Sequence, residues 1–103
     1  MARYFLVTQA RGPSWDPSRV RRQQQGWSEH AGFIDQLNDE GKILLGGPIG
    51  DVDGQHVVLV VRASSEDEAR ALFADDPWID RFLRLESVEP WMLWIGADNL
   101  PAH

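Results

Sequence analysis

The sequence contains no cysteine. Disulfides, thiolate nucleophiles and zinc–thiolate centres are therefore excluded as sources of stability or chemistry. Basic charge is also scarce: ten Lys and Arg stand against sixteen Asp and Glu, a formal net charge of −6. Phosphate backbones require clustered cations, so no nucleic acid is expected as a partner. No apolar run approaches the ~20 residues of a membrane-spanning helix. The run inside MARYFLVTQARG is too short for a signal peptide, and a cytoplasmic setting without membrane contact is expected. At 103 residues the chain suits one domain, with a core at about residues 3–96 and a tail over 97–103. What the chain does have is aromatic bulk. Five Trp and four Phe supply more apolar area than so small a fold needs, and part of it is available to an interface.

The pattern of elements follows from periodicity. Tyr4 to Gln9 is β-branched and aromatic and reads as a strand; ARGPSWDPS after it is a loop. Ser18 to Glu40 has helical spacing through Val20, Trp27, Ala31, Ile34 and Leu37, with Gly26 and Gly32 as interior weak points. Ile43 to Leu45 is a short strand running into Gly46-Gly47-Pro48. Asp53-Gly54 is a hairpin signal, and HVVLVVR (His56 to Arg62) is the strongest strand. Ser65 and Glu68 form a capping-box pattern that opens a second helix, which ends near Asp76 because Pro77 follows. Val88 to Ile95 reads as a last strand, with Pro90 requiring an edge or a bulge. The order β-α-β-β-α-β predicts an α+β, ferredoxin-like fold with a four-stranded antiparallel sheet. Val57 to Val61 is apolar on both faces. The helices cover one face, and a second copy of the chain is the economical cover for the other. The alternative cover is the loop at residues 10–17.

Two ionisable groups fall on faces expected to be buried. At about 100° per residue, with Trp27 at zero, Ile34 lies near roughly 340° and His30 near roughly 300°, inside the apolar arc. On the second helix, measured from Ala69, Asp76 lies near roughly 340°, between Leu72 and Phe73. The simplest way to satisfy both groups is for them to meet. Two accounts of the pair stand side by side. A histidine on an apolar face is most often a satisfied core residue, and Asp76 before Pro77 can close its helix through local hydrogen bonds. Alternatively the carboxylate fixes the imidazole tautomer and leaves the other ring nitrogen for proton transfer. No nucleophile motif accompanies the pair, so the chemistry expected is proton transfer and not covalent catalysis.

Other candidates carry less. His56 is expected at a strand start near a turn, and His103 is terminal. A metal site on His30 and His56 lacks further ligands at any recognisable spacing, and neither metal nor cofactor is expected. Arg11, Arg19, Arg21 and Arg22 form a local basic cluster, either a solvated face or a device steering an anion to a pocket. Trp15 and Trp27 either line a pocket for a planar ligand or belong to core or interface.

Six short stretches occur in a fixed order: W-x-E-H-x-x-F (Trp27 to Phe33), L-x-x-E-G (Leu37 to Gly41), L-L-G-G-P (Leu44 to Pro48), E-A-R-x-L (Glu68 to Leu72), D-D-P-W (Asp75 to Trp78) and V-x-P-W (Val88 to Trp91). In order and spacing they resemble the YciI-like, or YCII-related, domain family. The resemblance implies subunits that pair as a dimeric α/β barrel and a His–Asp dyad falling on His30 and Asp76. It implies acid–base chemistry without a metal on a small cyclic oxygenated compound. One branch resembles dehydrochlorinases of chlorinated hydroxyquinones, and the wider superfamily includes muconolactone isomerases. Trp27, Gly47 and Pro48 are the expected substrate contacts. Some relatives carry an arginine shortly before the histidine. Trp27 and Ser28 stand there in this chain, which leaves Arg19 or Arg22 to take its place. The activity expected is thus that of an isomerase or lyase using His30 and Asp76. The alternative is a non-catalytic small-ligand-binding or partner-binding module in the same dimer cleft.

Overall fold

In the computed structural model, which describes residues 3–100, the N-terminal apolar run forms strand β1 (Arg3–Arg11). Helix α1 (Trp27–Asp39) follows, then strands β2 (Ile43–Pro48) and β3 (His56–Ala63). Helix α2 (Glu66–Ala71) and strand β4 (Leu83–Pro90) complete the set. The sheet is antiparallel with strand order β2-β3-β1-β4, the ferredoxin-like arrangement. His103 lies outside the described residues. Among the described residues no helix is long and apolar enough to cross a membrane.

Four boundaries differ from the sequence expectation, each for a physical reason. The long first helix is broken: Arg21–Gln23 is a single 3-10 turn, and α1 begins only after Gly26, whose φ of 78° is left-handed. An L residue is strained in that conformation, and glycine is not. Gly32, by contrast, stays within α1. Strand β2 runs on through Gly46-Gly47-Pro48, three residues past the expected end at Leu45. Gly46 lies against Leu59 of β3, and a Cβ there would come within 2.9 Å of the Val58 carbonyl oxygen, so the glycine permits close pairing. Helix α2 stops at Ala71. Its cap is as expected, with Ser65 Oγ accepting from the Glu68 backbone N–H at 3.1 Å, but Phe73, Ala74 and Asp76 then donate three residues back in tightened turns. Finally, β4 spans Leu83–Pro90 and not Val88 to Ile95. Half of its residues face solvent on an edge strand and dilute the apolar signal, while Trp94 and Ile95 lie beyond it, 88% and 95% exposed. Pro90 closes that edge strand, where its missing N–H costs no ladder bond.

Parity along the strands sorts the two faces. Phe5, Val7 and Gln9 of β1, with Leu59 and Val61 of β3 and Val88 of β4, face the helices. They pack with Leu37, Ala69 and Phe73. A bulge between β1 and β4 sets Thr8 opposite Ser87 and Gln9 opposite Leu85, leaving Glu86 unopposed. Leu6, Thr8, Val58 and Val60 lie on the other face. A second aromatic cluster of Trp15, Trp78, Phe82 and Leu83, with Trp27 against it, closes one end of the helix layer. The loop expected at residues 10–17 begins only after Arg11 and sends Trp15 into this cluster.

Candidate functional site

His30 sits in the first full turn of α1, and its buried position follows from the stripe it shares with Leu37. Asp76 reaches it from the connection after α2. Its backbone N–H donates to the Phe73 carbonyl at 3.1 Å, and its Oδ1 accepts from the Trp78 backbone N–H at 2.9 Å. That local turn fixes the carboxylate before any long-range contact is made. His30 Nδ1 then lies 2.9 Å from Asp76 Oδ1 and 3.0 Å from Oδ2. An ionised carboxylate accepts only; opposite one, Nδ1 would carry the proton and Nε2 the lone pair of the neutral ring. His30 is 7% exposed and Asp76 3%.

Trp78 holds this pair from a third direction. Its ring stacks on the imidazole at 4.2 Å between centroids and 6° between planes. Its Nε1–H donates to the Gln25 carbonyl at 2.8 Å, tying the stack to the residue before the Gly26 break. Trp27 flanks the imidazole at 5.8 Å. Stacked on the Trp78 indole, with Trp27 packed against both rings, and hydrogen-bonded at Nδ1, the imidazole is restrained in orientation.

A cavity of about 180 Å³ opens beside it. Its floor is the sheet, through Gln9, Val57, Leu59 and Leu83; its walls are Arg21, Trp27, His30 and Ile34, with Gly46, Gly47 and Pro48 along β2. Arg21, Trp27 and Pro48 also line a larger outer groove, with Val20, Arg22 and the 50–53 loop. The structure thus brings Trp27, Gly47 and Pro48 to the same cavity as His30. It does not bring Arg19 there: that side chain is exposed, 3.6 Å from Asp16, and borders a separate depression. Arg22 reaches only the outer groove. His56 lies on the opposite face of the sheet, its Nε2 3.2 Å from Glu86, so it cannot join His30. Among the described residues no three His, Asp or Glu side chains converge as metal ligands.

Two polar side chains of the cavity were not placed there from the sequence: Gln9 was not singled out, and Arg21 was named only within the basic cluster. Gln9 had a legible signal, since it shares the parity of Phe5 and Val7. The burial of Arg21, unlike its place in the basic cluster, had none, because the helix on which its phase would be counted is interrupted at Gly26. Arg21 is 7% exposed, and its guanidinium stacks over Trp15 at 5.0 Å. Its Nη2 donates to the Gly54 carbonyl at 2.8 Å, and Asp53 Oδ1 accepts from its backbone N–H at 2.8 Å. Burial pushes its pKa down, repulsion from Arg11 adds to this, and attraction to Asp53 opposes it.

Comparison with known families matches residues 3–91 to the YCII-related domain. Neither a curated protein nor a solved structure gives a significant match.

Proposed function

Since this chain belongs to the YCII-related domain family, we propose that it takes a small cyclic oxygenated compound into the cavity beside His30 and that His30 exchanges a proton with it. The observation that carries this reading is the buried contact of His30 Nδ1 with both oxygens of Asp76, at 2.9 and 3.0 Å. Asp76 fixes the tautomer and stabilises the imidazolium when it forms. Nε2, which makes no hydrogen bond among the described residues, is left for the ligand.

As a base, Nε2 removes a proton from a carbon next to a carbonyl or a leaving group. Returning that proton to a different atom of the same ligand completes an isomerisation. If the electron pair instead expels a leaving group, the result is an elimination. Either course needs the imidazolium held where it forms, and both the Trp78 face and the Asp76 carboxylate do that. The same proposal includes a second copy of the chain against the open sheet face, which carries Leu6, Val58, Val60 and the exposed Leu45.

The first test is spectroscopic and needs no substrate. Nitrogen NMR of the neutral His30 ring should show the proton on Nδ1, and Asp76→Asn should redistribute it between the two nitrogens. An unchanged tautomer in that variant would remove Asp76 from the mechanism. On any substrate found, His30→Ala and Asp76→Ala should each lose turnover by about 10²–10⁴-fold while remaining folded. Retained turnover in both would remove the pair from the mechanism, whereas no turnover of any compound that binds the cavity would leave a non-catalytic ligand-binding or partner-binding module.

A further inference from the structure

Gln9 presents a problem that the fold alone does not solve. It is 2% exposed on the helix-facing side of β1, and its Nε2 has no hydrogen-bond partner. An unpaired buried amide is costly, and an apolar side chain of the same size would avoid that cost. Arg21 repeats the pattern: its Nε is buried without a partner, and among the described residues no carboxylate lies within ion-pair distance of its guanidinium. Both side chains line the cavity that contains His30.

We infer that Gln9 and Arg21 form an anion-recognition site inside the His30 cavity, made for a small monocyclic compound bearing a carboxylate. The two unpartnered atoms are both donors, one neutral and one on a cation; both are sealed from solvent, so a ligand meets them when the Gln9 and Arg21 side chains turn their donors toward it. A group that only accepts, and carries negative charge, satisfies both; a hydroxyl would bring a further donor into a site that already has donors in excess. Apart from His30 the rest of the cavity is largely apolar, with Trp27, Ile34, Val57 and Leu59 placed to pack on a ring. Its volume of about 180 Å³ slightly exceeds the roughly 150 Å³ that admits one benzene. Trp15 holds the guanidinium in place from the far side. With a net charge of −6 on the whole chain, capture of an anion depends on these local donors and not on the overall field. This inference rests on the proposed use of the cavity as a ligand site, and not on proton transfer by His30.

Calorimetric titration of the full chain with benzoate and with benzyl alcohol tests it. Benzoate should bind more tightly than the alcohol. Gln9→Leu should weaken benzoate by about tenfold or more, leave the alcohol unchanged, and melt no lower than the parent protein. Arg21→Gln, measured in the same way, should abolish the preference, and it decides the matter if Gln9→Leu does not fold. Equal binding of the two probes, no binding of benzoate, or an unchanged benzoate affinity in the folded variants would overturn the inference. Because the readout is equilibrium binding, its failure leaves the Nδ1 tautomer result standing, and failure of the tautomer test leaves the benzoate preference standing.

Discussion

Asp16 shows how a half-exposed carboxylate can hold a buried segment in place. Its Oδ1 accepts from both the backbone N–H and the hydroxyl of Ser18, at 2.9 and 2.6 Å. Its backbone is clamped by the Gln24 side chain, which also bonds the Arg19 carbonyl. The clamp spans the turn that carries Arg21 into the cavity. The Ser18 hydroxyl, first, and its backbone N–H hold the Asp16 carboxyl below its usual 3.8. A depressed carboxylate stabilises the fold fully above about pH 3.8 and loses that contribution as pH falls through its lower folded value. Carbon NMR should therefore find the Asp16 midpoint below 3.8, and Ser18→Ala should move it back up; an unmoved midpoint would exclude the hydroxyl as the main cause. Residue chemistry of this kind is partly legible from sequence. His30 stands out because imidazole in an apolar stripe needs a partner. Asp76 was found for an incomplete reason: counting helical phase put it on the buried side of a helix that ends at Ala71, and the turn beyond happens to aim it the same way.

At the scale of elements, two glycines in one expected helix behave in opposite ways. Gly26 has a φ of 78°, and a Cβ there would sit 3.3 Å from Trp78 Nε1. Gly32 lies inside α1 with nothing within 4 Å of such a Cβ. Gly26→Ala should cost about 1–2 kcal/mol, the strain of an L residue in left-handed geometry, whereas Gly32→Ala should gain up to about 1 kcal/mol of helix propensity. Thermal melts of the two variants should move in opposite directions; a shared direction would contradict the break. Composition alone cannot separate the two positions, because only tertiary packing decides which glycine is left-handed. The element order and the strands β1 and β3 were legible, since their apolar runs dominate their windows. Strand β4 was not, because charged residues such as Arg84, Glu86 and Glu89 interrupt its apolar positions while the neighbouring Trp91 to Ile95 supplied a stronger but misleading signal.

At the scale of the molecule, the sheet has one face covered by helices and one that is not. Half-buried Leu6 and Val58 and exposed Leu45 lie on the uncovered side. A partner sheet would take this area out of water, which is the pairing proposed above. Light scattering should give twice the 11.7 kDa chain mass. Leu6→Lys, which places a cation on a central strand of that face, should return a folded species of single mass. A wild-type mass near 11.7 kDa would end the proposal. The apolar character of both faces of β3 was readable from Val57 to Val61, because strand parity depends only on alternation.

Three of the five tryptophans, Trp15, Trp27 and Trp78, crowd around the His30–Asp76 pair, with Trp15 and Trp27 at 6.1 and 5.7 Å from the Trp78 ring. Trp91 and Trp94 are exposed. Near-ultraviolet circular dichroism arises from aromatic rings fixed in tertiary packing, so much of that signal should come from this cluster, of which Trp27 lines the cavity. Trp27, packed on Trp78 at 5.7 Å, connects that chromophore to the cavity. Candidate compounds can be sorted by the ellipticity they perturb before any reaction is known.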